Sequence, residues 1–147
     1  MKIYIATDHA GFELKGRLMP LLRELGHEVV DCGAETYDES DDYPDFIAKA
    51  AEAVSENPEC RGVILGGSGQ GEAIVANRYP RVRTAVYYGG PIDIVSLARE
   101  HNDANILSLG ARFLSDEEAQ EAVRVFLATP FSDDERHVRR IAKIDKS

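Results

Sequence analysis

The chain has 147 residues, 44% of them hydrophobic and 29% charged, the balance of a soluble globular protein. A formal net charge of −9 disfavours non-specific binding to nucleic acid or to an anionic membrane surface. No apolar run approaches the ~20 residues of a spanning helix, and the length suits one domain over 1–147 with a substantial core.

Met1-Lys2 leads straight into a first strand at about 2–7, without signal-peptide architecture, so a cytoplasmic location is expected. An amphipathic helix follows from about Gly11 to Leu25 and ends at Gly26. His27–Asp31 reads as the second strand. An acidic, turn-rich loop runs from Gly33 to Asp42, and Pro44 suits the first turn of a helix reaching about Ser55. Arg61–Leu65 is the third strand, followed by a glycine loop and a short helix to about Arg78. Val82–Tyr87 is the fourth strand and Ile92–Glu100 a helix. Ile106–Leu109 is the fifth strand, Ser115 caps a helix over Glu117–Ala128, and a C-terminal helix spans about 133–143. This alternation predicts an α/β fold of three αβα layers around a doubly wound parallel sheet. The five strands suit the flavodoxin or Rossmann-like type with strand order 2-1-3-4-5. Cys32 and Cys60 have no C-x-x-C spacing and read as free thiols.

Gly66-Gly67-Ser68-Gly69-Gln70-Gly71-Glu72 lies between the buried run Val63-Ile64-Leu65 and a helix, where backbone amides point outward without partners. Glycine allows close backbone approach by a ligand. Ser68 adds a hydroxyl and Glu72 a carboxylate. A site that binds negative charge yet carries a carboxylate suits a substrate whose charge develops only in the reaction, such as the enediolate of sugar isomerisation. A tight turn with no ligand is the plain alternative. The dinucleotide fingerprint fails, because it needs glycine where Glu72 or Ile74 stands, and a P-loop fails for want of its lysine.

In a doubly wound sheet, ligands sit beyond the carboxyl ends of the strands. Asp8-His9 follows the first strand and Gly110-Ala111-Arg112 the fifth. Asp8 would also serve as a helix cap, and Arg112 as a surface ion-pair partner. His101-Asn102 closes the fourth helix, where the macrodipole favours an imidazolium suited to general-acid work. A C-terminal cap with Asn102 in the left-handed turn explains the same residues. Arg136 and Arg140 share one helix face at i, i+4 and can grip a phosphate, although a solvated basic face is the usual meaning of such a pair. The acidic loop Asp38, Glu39, Asp41, Asp42 has no metal-ligand spacing and reads as solvated surface, with Tyr43 after it in reach of a site.

Thr7-Asp8-His9-Ala10-Gly11, Asp42-Tyr43-Pro44, Gly67 through Glu72, Ala76-Asn77-Arg78, His101-Asn102-Asp103-Ala104-Asn105 and the Arg136/Arg140 tail together resemble the type B ribose-5-phosphate isomerases. That family also includes galactose-6-phosphate and allose-6-phosphate isomerases. The resemblance covers nearly the whole chain. It implies aldose–ketose isomerisation of a sugar phosphate through a cis-enediolate, with no metal and no cofactor. By the same resemblance Glu72 is the base, Ser68 assists proton movement, and Asp8 and His101 open the ring. Gly67, Gly69, Gln70 and Gly71 would line the reacting end with Tyr43 and Asn102, while His9, Arg112, Arg136 and Arg140 would hold the phosphate. Members work as homodimers or tetramers with shared sites, so His101, Asn102 and some phosphate ligands are expected from a neighbouring copy. Many members carry a cysteine base where this chain has Gly66, so it resembles the branch in which a glutamate takes over. A six-carbon substrate and a non-catalytic sugar-phosphate-binding module stay open as alternatives.

Overall fold

The computed structural model describes residues 1–146. Five parallel strands form one sheet: β1 (Lys2–Thr7), β2 (Glu28–Asp31), β3 (Arg61–Gly66), β4 (Thr84–Tyr87) and β5 (Ile106–Gly110). Six α-helices connect or follow them: α1 (Phe12–Glu24), α2 (Tyr43–Glu56), α3 (Gln70–Ala76), α4 (Asp93–Asn102), α5 (Asp116–Ala128) and α6 (Glu135–Asp145). A single 3-10 turn over His9–Gly11 joins β1 to α1.

The strand order is β2-β1-β3-β5-β4, which corrects the expected 2-1-3-4-5 at its far end while keeping the doubly wound class. Burial explains the exchange. All five residues of Ile106–Gly110 are buried, as a strand flanked on both sides and covered on both faces requires. Thr84, Ala85 and Val86 are only half-buried, which suits an edge. Helix placement follows from the right-handed crossover rule. The connections β2→β3 and β3→β4 run one way across the sheet and put α2 and α3 on one face. The connections β1→β2 and β4→β5 run the other way and put α1 and α4 on the opposite face, where α5 joins them.

Two cores result, fed by alternate residues of each strand. Ile3, Ile5, Val63, Leu65, Leu107 and Leu109 meet Leu18, Leu22, Val95, Val123 and Phe126 from α1, α4 and α5. Ala6, Ile64 and Ile106 meet Ile47, Ala50, Ala51, Val54 and Ala76 from α2 and α3. The register Ile5↔Val63↔Leu107↔Ala85 carries one such row across four strands.

Local capping fixes the helix starts. Ser115 accepts from the Glu118 amide at 3.1 Å, and Glu118 Oε1 accepts from the Ser115 amide at 2.9 Å, so α5 opens with a full capping box. Pro44 occupies the first turn of α2, where its missing N–H costs nothing. Asp134 caps α6 through the Arg136 amide at 3.0 Å, and Asp133 turns the chain into it with φ 58°. The left-handed residue after α4 is Asp103 (φ 46°), not Asn102, which remains the last helical residue. Asp103 is held there by its carboxylate, which accepts from Arg99 at 2.8 Å.

Candidate active site

The chain ends of β1, β3 and β5 lie side by side, and the residues after them converge. Thr7, the last residue of β1, places its hydroxyl 3.1 Å from the Leu65 carbonyl, tying the two strand ends together. Asp8 is buried and caps the following turn, accepting from the Ala10 amide at 3.0 Å. Behind β5, the Ala111 amide donates to Gly66 O at 2.8 Å and the Arg112 amide to Gly67 O at 3.1 Å. The Arg112 guanidinium lies so close over Gly67 that a Cβ there would sit 3.2 Å from its Nη1.

The glycine loop starts α3 through Gly69, whose φ of 79° is a left-handed conformation that glycine adopts without strain. Ser108 supports the loop from below, donating to Gly69 O at 2.7 Å. The Ala73 amide makes the first helical bond, to Gly69 O, so the amides ahead of it have no helical acceptor. Ser68 Oγ lies 3.4 Å from the Gln70 amide. Tyr43, the first residue of α2, lays its phenol against Gly71, where a Cβ would stand 2.6 Å from the ring carbon Cζ.

Glu72 is the chemical centre of this arrangement. It is buried, with 4% of its surface exposed. Its carboxyl occupies the space that a side chain at position 66 would need: a Cβ built on Gly66 falls directly onto it. A side chain at 66 and a carboxylate here therefore exclude each other, which accounts physically for glycine at this position. Burial pushes the Glu72 pKa up and the Asp8 charge adds to the rise, against a lowering contribution from its own backbone amide. A rise in this direction strengthens the carboxylate as a base toward a carbon-bound proton.

His9 completes the near end of the site. Its Nδ1 lies 2.7 Å from Asp41 Oδ1, and its backbone amide donates to the same oxygen at 3.2 Å. Asp41 thus leaves the solvated surface expected of the acidic loop; its side chain is 7% exposed. Asp38, Glu39 and Asp42 are exposed, as expected. Composition gave no hint of this difference, because a run of like carboxylates does not reveal which one folds inward. Asp8, His9 and Asp41 bring three potential metal-ligating atoms within 4.8 Å of one another, but the His9 and Asp41 atoms are already bonded to each other.

The other expected residues lie elsewhere on the chain. Helix α4 runs antiparallel to the strands, so His101 and Asn102 stand at the amino end of the sheet, where the Asn105 amide donates to Arg83 O at 2.9 Å. The five residues of β5 separate the two ends by roughly 17 Å. The His101 ring packs on His137 of α6 at 4.4 Å between centroids, and Arg136 and Arg140 are exposed on that same helix. His137 is buried and hydrogen-bonded to Ser132 Oγ at 2.8 Å. Burial, with the His101 and Arg136 charges beside it, lowers its pKa. One chain therefore brings together Asp8, His9, Tyr43, Gly67 through Glu72 and Arg112. It holds His101, Asn102, Arg136 and Arg140 as a second group at the far end. A recess of about 690 Å³ beside β4 includes Arg83, Asn102 and Asp145 and belongs to this second end.

A doubly wound α/β protein with a buried carboxylate in a glycine loop, at the junction of β1, β3 and β5, is the class that fold and site define. The chain belongs to the ribose/galactose isomerase family, whose model matches residues 3–144. It is 45% identical over 141 residues to the ribose-5-phosphate isomerase B of Mycobacterium tuberculosis, covering 96% of this chain and 86% of that one. A crystal structure of a ribose 5-phosphate isomerase from Thermotoga maritima matches with TM-score 0.90 and 44% identity, covering 99% and 98% of the two chains. The Mycoplasma genitalium ribose-5-phosphate isomerase B, solved with bound ribulose-5-phosphate, matches with TM-score 0.94 and 37% identity over 99% and 94%. Among the described residues, no helix is long and apolar enough to cross a membrane.

Proposed function

We propose that this chain interconverts ribose 5-phosphate and ribulose 5-phosphate by proton transfer through a cis-enediolate, with Glu72 as the base. The observation that carries the reading is the Glu72 carboxyl, buried in the space that Gly66 leaves open and raised in pKa at the mouth of the glycine loop. Glu72 takes the proton from C2 and returns it to C1. Ser68 assists the proton moving between the two oxygens. The amides of Gly69, Gln70 and Gly71 stabilise the oxyanion as it forms, and one such donor is typically worth about 3 kcal/mol of barrier. Gly67 keeps the loop open beneath Arg112, and Tyr43 covers the sugar.

Asp8 and His101 open the furanose ring, which needs a proton removed from the anomeric hydroxyl and one delivered to the ring oxygen. His9, Arg112, Arg136 and Arg140 bind the phosphate, keeping that anion away from the base. The separation of His101, Asn102, Arg136 and Arg140 from Glu72 within one chain supports a homodimer or a tetramer in which a second copy supplies its far end to this site. The free thiols Cys32 and Cys60 are in keeping with a cytoplasmic enzyme.

The test is a direct assay with purified protein. Turnover of ribose 5-phosphate in both directions is expected, faster than with allose 6-phosphate, and unaffected by EDTA, because proton transfer in this scheme runs through side-chain carboxyl, hydroxyl and imidazole groups. No turnover of either sugar, with tight binding of both, would replace the isomerase with a binding module. EDTA-sensitive turnover restored by a divalent ion would replace the enediolate scheme with a metal-assisted shift.

A further inference from the structure

We propose that Asp41 is a positioning residue, holding His9 as a fixed, protonated donor at the phosphate end of the site. The proposal rests on the sugar-phosphate reading above for the identity of the anion, but its geometry stands apart from that reading.

Asp41 spends its side-chain hydrogen bonds on one residue. Oδ1 receives both the His9 amide, at 3.2 Å, and the His9 ring at Nδ1, at 2.7 Å. Oδ2 is buried and has no hydrogen-bond partner among the described residues. A buried carboxylate with half its accepting capacity idle is costly to keep for packing alone. The loop is shaped to deliver it. The Asp41 amide donates to Asp38 O at 3.1 Å and the Ser40 amide to Asp38 Oδ1 at 2.9 Å, closing a tight turn that aims Asp41 inward and leaves its acidic neighbours in solvent. Tyr37, earlier in the loop, stands edge-on to the His9 ring at 6.3 Å and restricts its swing.

The chemistry follows from the tautomer. An acceptor-only carboxylate at Nδ1 requires the proton on Nδ1, which leaves Nε2 as the nitrogen to meet a ligand. In neutral imidazole that Nε2 is a lone pair and repels a phosphate oxygen. In the imidazolium it is a donor. The hydrogen bond to Asp41 is the largest influence raising the His9 pKa, opposed by desolvation of the ring. Among the charges that face the ring, Asp8 and Asp41 favour the imidazolium and Arg112 opposes it. Asp41 therefore fixes the ring and shifts its equilibrium toward the imidazolium, in which the other nitrogen is a donor. The pairing supports the folded state below the ordinary histidine pKa of 6.5, and its contribution fades as pH rises through the higher folded value.

The experiment compares wild type with Asp41→Asn, and with Asp42→Asn as a variant of equal charge change at an exposed neighbour. The His9 ring signals, assigned against His9→Asn, are titrated by NMR, and the spectra also report whether each variant is folded. Inorganic phosphate is the binding probe, and kcat and KM are measured with ribose 5-phosphate. Asp41→Asn is expected to lower the His9 midpoint and weaken inorganic phosphate on the order of 10-fold. Its KM should rise by a similar factor, with the larger part of the loss in KM and not in kcat. Asp42→Asn is expected to do none of this, and Asp41→Glu to recover part of the phosphate affinity. An unchanged His9 midpoint in Asp41→Asn overturns the proposal, as does a lowered midpoint with unchanged phosphate affinity. So does a loss confined to kcat, which would put Asp41 in the chemistry instead. If wild type turns over no sugar phosphate while Asp41→Asn still weakens inorganic phosphate, the substrate reading fails and this inference stands.

Discussion

Replacing Gly66 by alanine adds one methyl group, and its expected effect is on a residue six positions away. Gly66 closes β3 with extended backbone, outside the left-handed region, so alanine meets no conformational penalty there. The whole cost comes from the Glu72 carboxyl, which occupies the place of the new Cβ. To reach ordinary contact the carboxyl must retreat by more than about 1 Å, and a shift of that size costs on the order of 10²-fold in rate when the displaced group is the base. Crowding of the site should destabilise the fold by about 1–3 kcal/mol, or roughly 3–10 °C in Tm for a chain of this length. The assay is kcat with ribose 5-phosphate, beside a melting curve. The double variant Gly66→Ala/Glu72→Gln supplies the logic: if the methyl acts only through Glu72, the double variant is no slower than Glu72→Gln alone. Gly66→Ala keeping more than a third of the wild-type kcat would refute the reasoning, since the carboxyl could then move freely without loss.

Glu72→Gln should nearly abolish turnover while substrate still binds; more than a tenth of wild-type activity would place the base elsewhere. Because the folded Glu72 pKa lies above its ordinary value of 4.5, the folded state binds the proton more tightly, and stability falls as pH rises through that interval. Glu72→Gln should therefore melt higher than wild type at neutral pH, with the difference closing below the ordinary carboxylate range. Cys32→Ser and Cys60→Ser should leave catalysis intact, and thiol alkylation should not block the site; loss of activity in folded Cys60→Ser would overturn the glutamate branch. His101→Asn should slow single-turnover conversion of bound ribose 5-phosphate far more than that of ribulose 5-phosphate, which has no ring to open, by a factor of about 10²–10⁴. Equal slowing in both directions would move ring opening to Asp8 alone.

The elements that strand–helix periodicity predicts are present, within a residue or two at most ends. The order of β4 and β5 shows in the burial, complete along Ile106–Gly110 and only partial at Thr84, Ala85 and Val86. Strand sequence along the chain, taken as spatial sequence, hid it. The motifs after β1, β3 and β5 meet as doubly wound topology demands, because strand ends are fixed by backbone pairing. Asp41 was not legible: its inward turn depends on a partner 32 residues away, which no local pattern encodes. Nor was the meaning of Gly66, since a glycine in a glycine-rich run hides that its missing side chain is another residue's seat.

The placement of Glu72 and His101 at opposite ends of the sheet has a genetic corollary. If copies pair so that each completes the other, the cistron encodes two half-sites that are always inherited together but never used together. A Glu72→Gln chain would form homodimers without a base, and a His101→Asn chain homodimers slow to open the sugar ring. Paired in one mixed dimer, they assemble one site with both defects and one with neither. Two defective alleles of this single gene would then complement each other, and mixing the two chains would restore ribose 5-phosphate turnover that either alone lacks.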